Sequence, residues 1–203
     1  MNTAEQINAV TRSVEHTASE HVVVLEQAFP TTPGDLWDAC TSPERLSRWF
    51  EPIDGDLVEG GRYRLTGSGT TGTITQCSEP HALRITWEHG GDTSIVDVSL
   101  TPAGQSTVLT LRHSVPDDEH WRTYGPAAPG IGWDGSLLAL GLFLAGDHRS
   151  HPEEMAKLHA TDEGRDFIAQ SAESWQAAHI AAGSDSAEAR AMAGRTAAFY
   201  RGE

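Results

Sequence analysis

A chain of 203 residues, 38% of them apolar and 7% aromatic, is long enough for one domain with a buried core. Its 14 Lys and Arg against 29 Asp and Glu leave a formal net charge of −15, which repels phosphate backbones and anionic headgroups and sets aside nucleic acid and membrane surfaces as partners. The longest apolar run, 137–145, is about half a bilayer span. The first twenty residues lack the apolar core of a signal peptide, and Cys40 and Cys77 are too few for a disulfide framework, so a cytoplasmic protein is expected.

Residues 1–20 are polar and mixed in charge and read as a flexible arm or a short frayed helix. Val22 to Leu25 lead into Phe29, a β-branched strand closed by Pro30. Thr32-Pro33 and Ser42-Pro43 each set a hydroxyl before a proline, the start signal of a helix, and they open two short helices that meet at a corner. Leu36, Trp37 and Cys40 belong to the first; Leu46, Trp49 and Phe50 follow the second.

From Asp56 to Val115 the hydrophobic period is two. Tyr63 and Leu65, then Leu83, Ile85 and Trp87, then Val96, Val98 and Leu100, then Leu109, Leu111 and His113 each alternate with polar residues. Such alternation gives an antiparallel sheet with one face buried. With the first strand and a short Leu57-Val58 piece, seven strands are expected. Gly67-Ser68-Gly69-Thr70-Thr71-Gly72 matches a dinucleotide fingerprint, but Thr73, Ile74 and Thr75 continue as strand rather than helix, so the run is a hairpin loop.

Residues 116–132 read as a Pro- and Gly-rich loop carrying Trp121 and Tyr124. A helix over about 132–145 follows. Trp133, Leu137, Leu140 and Leu144 form one stripe, and Leu138, Leu142 and Phe143 occupy the other side, so it is covered on both. The cover is expected from 147–203, where Thr161 and Asp185 stand at helix-cap positions ahead of Phe167, Trp175, Met192 and Phe199.

Phe29-Pro30-Thr31-Thr32-Pro33 running into Leu36-Trp37, Ser42-Pro43-Glu44-Arg45-Leu46 with Trp49-Phe50, Gly60-Gly61-Arg62-Tyr63, Leu111-Arg112-His113-Ser114, and Gly132-Trp133 leading to Leu137 and Leu140 together resemble the START-like superfamily. This superfamily is also called SRPBCC or birch-pollen-allergen-like. Within it the chain is similar to the branch of heat-shock-protein ATPase activator homologues. The resemblance covers 21–146 and implies an α+β helix-grip fold, a curved antiparallel sheet around a long helix. The family domain ends with that helix, so 147–203 is a helical extension packed on it and a possible homodimer contact.

The expected function is binding of a small hydrophobic molecule in an internal cavity, with Trp49, Phe50, Tyr63, Trp87, His113, Trp121, Trp133 and Leu137 as its lining. An enzyme on the same fold, cyclase- or hydrolase-like, would use His113, Tyr63 or Tyr124 for proton transfer, with Tyr124 or Glu51 as the partner of His113. A protein-interaction module linked to a chaperone is the third reading. No cofactor is implied. His148-x-x-His151 with Asp147, and Asp117-Asp118 with His120, lie in polar loops without a framework, so no metal site is assigned.

Overall fold

The computed structural model describes residues 2–17 and 19–203. Its strands are β1 (Thr11–His16), β2 (Glu20–Phe29), β3 (Ile53–Gly55), β4 (Arg62–Leu65), β5 (Thr71–Ser78), β6 (Ala82–His89), β7 (Asp92–Ala103) and β8 (Ser106–Pro116). They form one curved antiparallel sheet in the order β1-β2-β8-β7-β6-β5-β4-β3. From β3 to β8 each strand pairs with the next, and β8 closes against β2, Leu25 opposite Leu111 and Val23 opposite His113. Across β7 and β8, Val96 meets His113, Val98 meets Leu111 and Leu100 meets Leu109, so the alternating residues share one face.

At the N-terminus the structure has the short helix of the two expected alternatives, followed by a strand that was not expected. Residues Thr3–Ala9 form helix α1, opened by an Asn2–Glu5 capping box. β1 then pairs with β2 over its whole length, so the sheet has eight strands rather than seven among the described residues. Met1 and Ala18, which the expected arm included, lie outside the described residues. The third strand is 53–55, not Leu57-Val58, because Asp54 and Gly55 pair with Arg64 and Tyr63 while Leu57 turns inward and Val58 outward.

Helices α2 (Pro33–Thr41) and α3 (Pro43–Leu46) make the corner over the sheet. Thr32 caps α2 by accepting from the Asp35 N–H; Ser42 opens α3 without a side-chain cap bond. The expected loop at 116–132 contains helix α4 (Glu119–Tyr124), capped by Asp118, and the long helix α5 starts early, spanning Ala127–Leu144. By length and composition α5 would suffice to cross a membrane, yet more than half of it is buried here. Trp133, Ser136, Leu137 and Leu140 face the sheet, and Leu138 and Leu142 pack on Phe167 and Ile7.

Helices α6 (Pro152–His159), α7 (Asp162–Ala181) and α8 (Ser186–Arg201) form a layer beyond α5. Trp175, fully buried on α7, lies so close to α5 that a Cβ on Gly130 would stand 2.2 Å from its ring. The buried carboxylate of Asp134 joins three elements. It accepts from Arg12 of β1, from the Ser171 hydroxyl at 2.5 Å and from the Trp175 indole N–H at 3.0 Å.

Candidate functional site

Between the sheet, the α2–α3 corner and α5 lies a cavity of about 410 Å³. The corner contributes Trp37, Leu46, Trp49 and Phe50; the strands contribute Tyr63, Leu65, Ile74, Ile85, Trp87 and the inward aliphatic residues of β7 and β8; α5 contributes Trp133, Leu137 and Leu140. Its size lies in the range of small-molecule pockets and its wall is overwhelmingly apolar.

The polar tips of the wall turn away from the space. Trp49 Nε1 donates to the Ala39 carbonyl at 2.9 Å, a bond that also fixes the corner. The Tyr63 hydroxyl donates to the Thr86 carbonyl at 2.8 Å, and burial raises its pKa further above the ordinary phenol value. Thr41 and Ser136 hydroxyls donate to carbonyls one helical turn back, Trp37 and Gly132. Cys40, half-buried in the wall, has its thiol pKa pushed up to about 12 by desolvation. Cys77 and Glu79 line the outer part, where Cys77 is exposed.

His113 stands behind Trp133 rather than in the space. Trp133 Nε1, a donor only, gives its proton to His113 Nδ1 at 3.0 Å. The proton of the neutral ring is therefore on Nε2, which donates to the Ser94 hydroxyl at 2.8 Å, and Ser94 in turn donates to the Trp87 carbonyl. Both ring nitrogens are satisfied in the neutral form, and burial lowers the pKa to about 4. This chain holds the Trp133 indole and ends on the Trp87 backbone carbonyl, and the two tryptophan rings meet edge-on at 5.4 Å.

Six of the eight residues expected to line a pocket, Trp49, Phe50, Tyr63, Trp87, Trp133 and Leu137, border this one cavity. His113 does not reach it. Trp121 lies elsewhere: it is buried between the β1–β2 hairpin and α7, its ring stacked on His21 with centroids 4.1 Å apart. The cause is α4, whose helical turn directs Trp121 inward to the hairpin and leaves Tyr124 against His120 and Phe199. Glu51 accepts from the Ser68 N–H at 2.7 Å and so braces the β4–β5 turn instead of partnering His113. Trp37 and the aliphatic strand residues complete the lining, and the two-residue period places Val96, Val98, Leu100, Leu109 and Leu111 on that face. Nothing in the sequence showed Trp37 as lining.

Residues 30–140, more than half of the chain, match the family described as Activator of Hsp90 ATPase homolog 1-like protein. No curated protein matches. Among solved structures, CalU16 from Micromonospora echinospora is 28% identical in its crystal form, with a TM-score of 0.67 over 87% of this chain and 99% of CalU16. Its solution structure gives 0.70 at 28% identity over 86% and 97%. That coverage is more than residues 1–146 can supply, so the likeness extends into the helices beyond α5. PFC0360w, an HSP90 activator from Plasmodium falciparum, shares the fold at 22% identity, with a TM-score of 0.53 over 62% of this chain and 96% of its own. With the family match spanning the corner, the sheet and most of α5, the chain belongs to the Activator of Hsp90 ATPase homolog 1-like family of helix-grip, START-like domains.

Proposed function

We propose that the protein binds a small, neutral, largely apolar molecule in the cavity between sheet and α5. The observation that carries this reading is the cavity itself: about 410 Å³ of space bordered by aromatic and aliphatic side chains, with the Tyr63, Trp49 and Trp133 donors bonded into the wall. A charged ligand would leave water without a partner there, whereas an apolar one is rewarded by the area it buries. Family membership supports a ligand-binding domain in general.

The acid/base reading draws less support. His113 holds its proton between Trp133 and Ser94, Tyr63 is bonded to a strand carbonyl, and Tyr124 lies on the outside of α4, so the three do not converge. A chaperone partner is suggested by the family description and by the P. falciparum neighbour. Contact between two copies through the C-terminal helices is suggested by Phe199, which is 68% exposed beside Tyr124. The cysteines are unpaired, in keeping with a cytoplasmic setting.

Native mass spectrometry of gently purified protein tests the reading. A reproducible extra mass of small-molecule size, extracted with solvent and reduced in Trp133→Ala, supports it, and the same spectrum reports the oligomeric state. Protein that is ligand-free and takes up no apolar fluorescent probe refutes it.

A further inference from the structure

Three histidines from three separate elements meet at the end of the β1–β2 hairpin, in a hollow that shares no lining residue with the cavity. His16 ends β1 and His21 lies directly across from it in β2, their Nδ1 atoms 2.7 Å apart. At that separation one nitrogen donates and the other accepts, so the pair accommodates one extra proton, but two imidazolium rings would each present a hydrogen to the other. His179, near the C-terminal end of α7, lies 6.0 Å from His16 between ring centroids and 5.9 Å from Trp121. His179 is 5% exposed, and its buried Nδ1 has no hydrogen-bond partner.

The surroundings offer this histidine little to support a positive charge. β1 presents His16, at the exposed rim. β2 presents His21, whose Nε2 stands 3.5 Å from Asp117. That carboxylate, in the segment before α4, is already bridged by Arg122 of α4 at 3.1 Å. α8 presents Glu188 and the neutral Met192 to the same hollow. Gly125, which follows α4, brings only backbone, with its Cβ position 3.7 Å from His179 Cε1. Among the described residues no three His, Cys, Asp or Glu side chains are placed to hold a metal ion, so the chemistry open to this cluster is proton binding.

We propose that His16, His21 and His179 form an acid-sensitive latch, which holds the α7–α8 layer against the β1–β2 hairpin while neutral and releases it on proton uptake. Released, His179 is solvated and titrates near the ordinary histidine value of about 6.5. Docked, it titrates at about 4, because burial disfavours the imidazolium and His16 and His21 stand beside it. The released layer thus binds more protons between those two values. Docking is at full strength above pH 6.5 and weakens as pH falls towards 4.

Hydrogen exchange on the full chain at pH 7.5 and 5.0, corrected for intrinsic exchange rates, tests the latch. The expected result is a loss of protection in α7 and α8 of roughly tenfold or more between pH 7.5 and 5.0. In the His16→Gln/His179→Gln variant that loss should be largely abolished. Equal protection of α7–α8 at the two pH values overturns the proposal. So does an undiminished loss in the variant. If the variant does not fold, an NMR titration of the wild-type histidine rings decides: His179 titrating below pH 5 sustains the latch, and titration near 6.5 overturns it.

Discussion

The guanidinium of Arg12 grips the carboxylate of Asp134 with Nε 3.0 Å from Oδ2 and Nη2 2.9 Å from Oδ1, and both side chains are buried. Nη1 donates to the Ile7 and Val10 carbonyls, so one side chain fastens the α1–β1 corner to α5. Asp134→Ala should destabilise the protein by about 3–5 kcal/mol, because it strands a buried cation. The double replacement Arg12→Met/Asp134→Leu should recover only part of that loss, because the buried Ser171 hydroxyl and Trp175 indole N–H still lose their acceptor. Urea unfolding of the two variants checks both, and a double variant as unstable as the single one would show that the pair does more than neutralise itself.

His113 gives a pH dependence with a definite direction. Its folded pKa, near 4, lies below the unfolded value of about 6.5, so its contribution is complete above pH 6.5 and is lost as pH falls through that interval. At pH 5 the native state should have lost about 2 kcal/mol from this residue relative to pH 7.5. His113→Gln should flatten the profile by that amount while lowering stability at pH 7.5, since Trp133 loses a well-placed acceptor. Denaturation curves at the two pH values measure it.

Filling the cavity separates binding from folding. Val98 borders the open space from β7. Val98→Phe should cut the affinity for an apolar fluorescent probe by about tenfold or more while costing at most about 1 kcal/mol of stability, because the added ring enters space rather than packed atoms. A probe that binds Val98→Phe as it binds the wild type is bound elsewhere.

The thiols should differ sharply in reactivity. Cys40 is half-buried in the cavity wall with its pKa pushed up to about 12, while Cys77 is exposed on β5. A chromogenic disulfide at pH 8 should therefore titrate one thiol quickly, and that thiol should disappear in Cys77→Ser. A second thiol reacting as fast would mean that the corner opens in solution.

Much of this architecture is written in short-range patterns. The two-residue period of 83–88, 96–100 and 109–113 names strands and inward face together, since a strand has only two sides. Thr32-Pro33, Thr161 and Asp185 mark helix starts through a cap that is local by nature. At the N-terminus β1 is not legible, and α1 only as a short frayed helix, because both gain their order from distant partners. Gln6 trades amide hydrogen bonds with Gln27, and Arg12 is anchored by Asp134, and neither partner can be inferred from a polar stretch. Trp121 and His113 were misplaced for a related reason. An aromatic or a histidine on an apolar face can border a cavity or stand one layer behind it, and only the neighbours Trp133 and His21 decide which.

The two-sided burial of α5 bears on how a domain like this one could diversify. Among its residues only Gly132 is exposed. One flank shapes the cavity, and the other holds Asp134, Gly130 and Leu138 against α7, so a change that reshapes the pocket from this helix also disturbs the layer behind it. The opposite wall carries no such second duty at Leu46, Phe50, Ile85 or Val98. Drift in ligand preference should therefore accumulate in the corner and the middle strands, leaving the helix as the slow-changing part.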